Sequence, residues 1–130
     1  MSDHNPSQLH GIIPPTVTPL TEKMELDQLA TSKLLKHLID GGVHGLFVLG
    51  TTGEAPSLTD QVKIDLIQQV GDEIGTKLPW LVGITDTCLA SAVKWAERSE
   101  QQGATAVVAA SPFYFRSEER RVGKECRSRW

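Results

Sequence analysis

The chain has 130 residues, 39% of them hydrophobic and 22% charged, with a net charge of −3, a globular composition with length for one domain or for half of a common larger one. It has no run of about eighteen apolar residues and no basic-then-apolar leader, so no membrane span or secretory signal is predicted and a cytoplasmic setting is favoured; its acidic balance argues against nucleic acid. The two cysteines, Cys88 and Cys126, lack metal-ligand spacing and have no reason to pair, so reduced thiols and no metal site are expected.

Residues 1–10 are polar and aperiodic and read as a disordered leader. From Gly11 to Thr18 the chain is apolar and β-branched, but Pro14 and Pro15 have no amide to donate, which predicts a first strand with irregular pairing. Asp27 then precedes a helical stripe of Leu29, Leu34, Leu35, Leu38 and Ile39 that ends at Gly41-Gly42, with Asp27 as its cap. Val43 to Leu49 is a nearly continuous apolar run, the pattern of a strand buried on both faces of a parallel sheet. Thr59 and Asp60 start a second helix to Ile74 on Val62, Leu66, Val70 and Ile74. Pro79 to Ile84 is a third strand. Asp86 or Thr87 caps a third helix, with Leu89, Ala92, Val93 and Ala96 on one face and Gly103 as its stop. Ala106 to Ala110 is a fourth strand.

Alternating strands and helices, with strand starts about thirty to thirty-five residues apart, predict right-handed βαβ units and a parallel α/β sheet. Doubly wound sheets and (β/α)8 barrels both fit, and both bind ligands at the carboxyl ends of their strands. Gly50-Thr51-Thr52-Gly53 lies at such an end. Its glycines permit a sharp turn and a close approach, while its hydroxyls and amides converge as donors for a carboxylate or phosphate. The loop lacks the Lys-Ser/Thr of a P-loop and the G-x-G-x-x-G of a dinucleotide fold, which disfavours nucleotides.

Other polar residues have plainer readings. Asp86 is explained by capping, Glu54 by a structural partner or the helix dipole, His44 by packing inside an apolar strand, and Cys88, with no nearby base, by an inert thiol.

Four spaced segments then carry a resemblance: Gly-Ile-Ile-Pro-Pro-Thr-Val-Thr-Pro from Gly11, Gly-Gly-Val-His-Gly-Leu-Phe-Val-Leu-Gly-Thr-Thr-Gly-Glu-Ala-Pro-Ser-Leu from Gly41, Val-Gly-Ile-Thr-Asp-Thr from Val82, and Ser-Pro-Phe-Tyr-Phe from Ser111. In that order, over 11–115, they resemble the dihydrodipicolinate synthase and N-acetylneuraminate lyase family of class I aldolases. The resemblance implies a (β/α)8 TIM barrel, here truncated to about its first four strands, and a lyase that binds pyruvate or another α-keto acid as a lysine Schiff base without a further cofactor. It implies that Thr52 and the backbone around Gly50 and Gly53 hold the substrate carboxylate, and that Thr51 belongs to a proton relay. Tyr114 matches the family tyrosine that crosses a dimer interface to join the neighbouring subunit's relay, so the full-length protein is expected to be a homodimer or homotetramer. Phe113 and Phe115 depart from the Tyr and Asn of strict dihydrodipicolinate synthases, which leaves the second substrate open. A 2-keto-3-deoxy sugar acid aldolase, an N-acetylneuraminate-lyase-like enzyme and a non-catalytic carboxylate-binding module are the alternatives.

The family's Schiff-base lysine belongs to the sixth strand of a barrel of about 250 residues, whereas Lys23, Lys33, Lys36, Lys63, Lys77 and Lys94 fall in predicted loops or helices. The chain by itself is therefore expected to be inactive. Residues 116–130 break with the family pattern and carry six Lys and Arg against three Asp and Glu, or +3 against −6 for the rest. They resemble a translated sequencing adapter and are set apart as a non-native tail.

Overall fold

The computed structural model describes residues 9–111. Tyr114, Cys126 and the tail from Arg116 lie outside that range, as do most of the residues read as a leader.

Three strands form one parallel sheet in the order β1 (Leu46–Val48), β2 (Trp80–Gly83), β3 (Ala106–Val108). Phe47 stands opposite Leu81, and Val82 opposite Val107. The prolyl segment extends the sheet at its β1 edge through one parallel bridge, Pro15 to Phe47. There the Phe47 amide donates to the Pro14 carbonyl at 3.1 Å and the Thr16 amide to the Phe47 carbonyl at 2.8 Å. This is the irregular pairing expected of a strand in which two successive residues lack an amide hydrogen.

Two of the three helices start where short-range chemistry places them. The Asp27 carboxylate accepts the Ala30 amide at 2.9 Å at the head of α1 (Gln28–Asp40). The Thr59 hydroxyl accepts the Val62 amide at 3.3 Å at the head of α2 (Asp60–Ile74). Each cap satisfies an amide that the first turn leaves without a partner. The third helix corrects the expectation. Neither Asp86 nor Thr87 caps α3 (Leu89–Gln101); its N-cap is Cys88, with no side-chain bond, and Asp86 instead accepts the Cys88 amide at 2.9 Å one turn earlier. An Asx turn and a helix cap use the same carboxylate chemistry, so the residue type could not tell them apart.

The core lies between the helices and one face of the sheet. Leu46, Val48, Trp80 and Val82 are buried there against Leu35 of α1, Leu66, Ile67 and Val70 of α2, and Trp95 of α3. Trp80 is fully buried and donates its indole N–H to the Gly75 carbonyl at 3.2 Å, which satisfies the one polar atom of a large apolar side chain. The alternate residues Phe47, Leu81 and Gly83 are only half-buried. The strand predicted over Val43 to Leu49, β1 here, is therefore buried on one face rather than on both: Leu46 and Val48 join the core with residues of the helices, while Phe47 between them lines a cavity at the strand ends. The strand is also shorter than its apolar run. His44 precedes it and is exposed rather than packed, accepting the Ile12 amide at 2.9 Å on Nδ1 and lying against the His10 ring.

Among the described residues, no helix is long and apolar enough to cross a membrane.

Candidate functional site

β1 ends in a backbone conformation unusual for its residue. Leu49 has φ 57° and Glu54 φ 56°, so left-handed residues bracket the loop Gly50-Thr51-Thr52-Gly53. For a side chain with a Cβ this conformation costs about 1–2 kcal/mol per residue, and non-glycine examples concentrate where the surroundings impose a functional shape. What imposes it on Leu49 is visible. Its side chain is 3% exposed in the core, and its carbonyl lies against Gly83 of the neighbouring strand, so close that a Cβ on Gly83 would sit 2.0 Å from that oxygen. The turn is thus clamped from below by packing and from the side by a strand that has no side chain at the crossing point.

Within the loop the Gly50 and Thr51 carbonyls are used by the turn itself. The Glu54 amide donates to the Thr51 carbonyl at 3.0 Å and the Ala55 amide to the Gly50 carbonyl at 3.4 Å. The buried Thr18 hydroxyl donates to the Gly53 carbonyl at 2.8 Å and ties the far side of the loop to the prolyl segment. Among the described residues, the amides and hydroxyls of Thr51 and Thr52 engage no other protein group. Bonded carbonyls beside unbonded amides and hydroxyls leave a group of donors that suits an anion.

That surface borders a cavity of about 410 Å³ at the carboxyl ends of all three strands, walled by Phe47, Gly50, Thr51, Gly83, Thr85 and Ser111, among others. Three roomier hollows, of about 510, 620 and 440 Å³, lie elsewhere, one beside α3, one between α1 and α2, and one between the turn at Met24 and the head of α2. Of these four, the cavity beside the loop is the one that joins the ends of all three strands. Its walls are mostly apolar, which strengthens any charge interaction made inside it.

The residues singled out in the sequence are distributed as follows. Gly50 and Thr51 line the cavity, and the Phe47 ring packs where a Gly50 Cβ would be, at 2.8 Å. Thr52 is exposed on the same loop without lining the cavity. Gly53 is buried, and a Cβ there would stand 3.1 Å from the Thr16 carbonyl and 3.2 Å from the Leu49 nitrogen, a tight fit. Tyr114 lies outside the described residues. Glu54 is exposed and caps the short 3-10 turn Ala55–Ser57 with its backbone alone, so no structural partner for its carboxylate is found among the described residues.

Sequence reasoning missed Thr85 and Ser111. Thr85 lies two residues past the end of β2 and Ser111 three past the end of β3, and Thr85 Oγ1 accepts the Ala110 amide at 2.9 Å, joining the segments that follow the two strands across the cavity rim. A hydroxyl just past an apolar strand was the available signal. No lysine lines the cavity among the described residues; Lys63, the buried one, lies on α2 with its amine 5.3 Å from the Trp95 ring.

Cys88 stands just past this rim. The Ser91 amide, the Ser91 hydroxyl and the Ala90 amide hold its thiol below the usual range, with the Asp86 carboxylate opposing them.

Comparison with known proteins agrees with this architecture. The profile of the dihydrodipicolinate synthetase family matches residues 8–124. The chain is 37% identical over 111 residues to an uncharacterized DapA-like lyase of Halobacterium salinarum, covering 85% of this chain and 36% of that protein. It superposes on the dihydrodipicolinate synthase of Bacteroides thetaiotaomicron with a TM-score of 0.80 at 44% identity, covering 86% of this chain and 38% of the other. It superposes likewise on YagE, a prophage protein of the dihydrodipicolinic acid synthase family from E. coli K12 solved in complex with pyruvate, with a TM-score of 0.81 at 32% identity, covering 85% and 37%. The chain thus spans well under half the length of these relatives, and its sheet and helices are the first portion of their TIM barrel. With the family profile matched over residues 8–124 and the fold shared with solved members, the chain belongs to the dihydrodipicolinate synthetase family.

Proposed function

We propose that this chain provides the carboxylate-binding half of a Schiff-base site for pyruvate, in a lyase of the dihydrodipicolinate synthase type. The observation that carries the reading is the clamped loop, which leaves the amides of Thr51 and Thr52 without a protein partner among the described residues and sets Thr51 in the wall of an apolar cavity at the strand ends. An α-keto acid brings a carboxylate that needs such donors. Its carbonyl needs an amine to form the imine and a relay to carry protons as water leaves and the enamine nucleophile forms. Thr52 and the neighbouring amides hold the carboxylate, Thr51 and Tyr114 pass protons, and Gly50 and Gly53 allow the approach. The pyruvate complex of YagE supports this choice of substrate. No lysine reaches the cavity among the described residues, so the amine is supplied from elsewhere in the full-length protein, and the 130-residue chain does not turn over by itself. The full-length enzyme is cytoplasmic and a homodimer or homotetramer.

The test is made in the full-length protein. Thr51→Val removes a relay hydroxyl at nearly constant volume and lowers kcat by about 10²-fold or more. Thr52→Ala weakens the hold on a charged group and raises KM for pyruvate by at least about tenfold. If both variants keep wild-type kcat and KM, the reading fails. Residues 116–130 we take to be foreign to the gene. The family match extends as far as residue 124, so resequencing the locus is decisive, and recovery of the same tail contradicts this view.

A further inference from the structure

Two threonines of the prolyl segment are buried. Thr16 and Thr18 are 5% and 8% exposed, and in an extended chain residues two apart share a side. Thr16 serves the sheet: its amide donates to the Phe47 carbonyl at 2.8 Å, with its hydroxyl at 3.4 Å from the same oxygen. Thr18 serves the loop, donating its hydroxyl to the Gly53 carbonyl at 2.8 Å. We propose that Thr18 is a positioning residue for the site: its hydroxyl holds the Gly53–Glu54 peptide in the orientation that keeps the Thr51 and Thr52 donors grouped for the substrate carboxylate. The role rests on the carboxylate-binding reading given above.

The Gly53–Glu54 peptide is held on both sides. Its carbonyl accepts from Thr18, and its amide donates to the Thr51 carbonyl at 3.0 Å, which closes the turn. Local preference opposes that orientation. Glu54 carries φ 56°, a value that residues with a Cβ seldom adopt, and a half-rotation of the preceding peptide would return it to the ordinary negative range. Gly53 has no Cβ to obstruct the rotation. The rotated peptide would set the Gly53 carbonyl against that of Thr51, so the turn would open and carbonyl oxygens would stand among the donors that a carboxylate needs. The Thr18 hydroxyl is the one partner of the Gly53 carbonyl among the described residues, and a buried carbonyl left unbonded is costly.

Thr18 is itself fixed in place. The following proline confines it to extended backbone. The Pro19 carbonyl accepts the Asp27 amide at 3.0 Å at the head of α1, while Thr16 is bonded to β1. The hydroxyl is therefore delivered from a frame anchored on both sides. Thr18 does not line the cavity, so it acts through the loop.

Thr18→Val removes the hydroxyl at nearly constant volume, and Thr18→Ser keeps it. In the full-length protein, Thr18→Val is expected to raise KM for pyruvate at least about tenfold, the size of one lost buried hydrogen bond. Its kcat at saturating pyruvate stays within about twofold, because bound substrate draws the loop back to the competent state. Thr18→Ser recovers the wild-type KM. In the 130-residue chain, the Glu54 amide exchanges with deuterium at least about tenfold faster in Thr18→Val than in the wild type, and Thr18→Ser restores its protection. A fall in kcat with KM unchanged, the mark of a merely structural role, would overturn the proposal, as would unaltered exchange at Glu54. Wild-type KM in Thr18→Val beside a raised KM in Thr52→Ala overturns the positioning role alone. Wild-type KM in both variants overturns the carboxylate reading and the role together.

Discussion

Gly83→Ala probes the contact that shapes the site. A Cβ at this position stands 2.0 Å from the Leu49 carbonyl oxygen, 2.7 Å from its carbon and 3.2 Å from the Gly50 nitrogen, and Cβ atoms essentially never approach a neighbour within 3.0 Å. The obstruction is backbone, so no rotamer relieves it. β2 and the loop must separate by about 1 Å, and Leu49, buried and already left-handed, is the residue that has to give. Overpacking of this kind costs about 3 kcal/mol when the surroundings are rigid, or roughly 10 °C in Tm for a domain of this size. Urea unfolding followed through the emission of the buried Trp80 and Trp95 measures the loss. The amide resonances of Gly50 to Gly53 show whether the loop moves. Gly71→Ala is the control: its Cβ meets the Gln102 carbonyl at 2.8 Å at the far end of α2, away from the loop, so it lowers stability while leaving those resonances in place. A loss below about 0.5 kcal/mol for Gly83→Ala, within the scatter of neutral surface changes, would refute the clamp.

Three further outcomes are expected. Trp80→Phe removes a fully buried indole and its bond to the Gly75 carbonyl and lowers unfolding stability by about 2 kcal/mol; an unchanged urea midpoint would contradict that account of the core. Asp27→Ala deletes the α1 cap and costs about 1 kcal/mol, while Asp27→Asn, which keeps an acceptor oxygen, recovers most of it in the same unfolding assay. Because the Cys88 thiol is lowered by the Ser91 amide, the Ser91 hydroxyl and the Ala90 amide, its thiolate persists to lower pH than that of an ordinary cysteine. Site-resolved alkylation should therefore inflect below the free-thiol value, and Ser91→Ala should move the inflection upward; a profile that ignores Ser91 would rule this cause out.

Much of the fold is legible because its determinants are local. Asp27 and Thr59 announce two helices because each side-chain oxygen accepts an amide three residues downstream, and the two prolines announce a poorly paired strand. Cys88 is not a capping residue type, so the head of α3 escapes the same reasoning. The apolar run Val43 to Leu49 reports that a strand is buried without reporting on how many faces, and it hides where the strand starts, which is why His44 is exposed. The stripe of Leu89, Ala92, Val93 and Ala96 marks a face of α3, yet the residues buried in the described fold are Trp95 and Ser99. A stripe records that a face is apolar and not what covers it. In the site, glycines and threonines signal a turn, but the left-handed Leu49, the crossing at Gly83 and the Thr85 rim depend on contacts between strands about thirty residues apart in sequence, which no short pattern encodes.

The central claim is that Gly50 to Gly53 holds one half of an α-keto acid site and that the amine is supplied elsewhere. Borohydride reduction in the presence of pyruvate tests it most directly, with peptide mapping of both the full-length protein and the 130-residue chain. The account predicts one covalently labelled lysine in the full-length protein, lost labelling there with Thr52→Ala at low pyruvate, and no site-specific label on the short chain. Labelling of the short chain at a single lysine among Lys23, Lys33, Lys36, Lys63, Lys77 and Lys94, or none in the full-length protein, would contradict it.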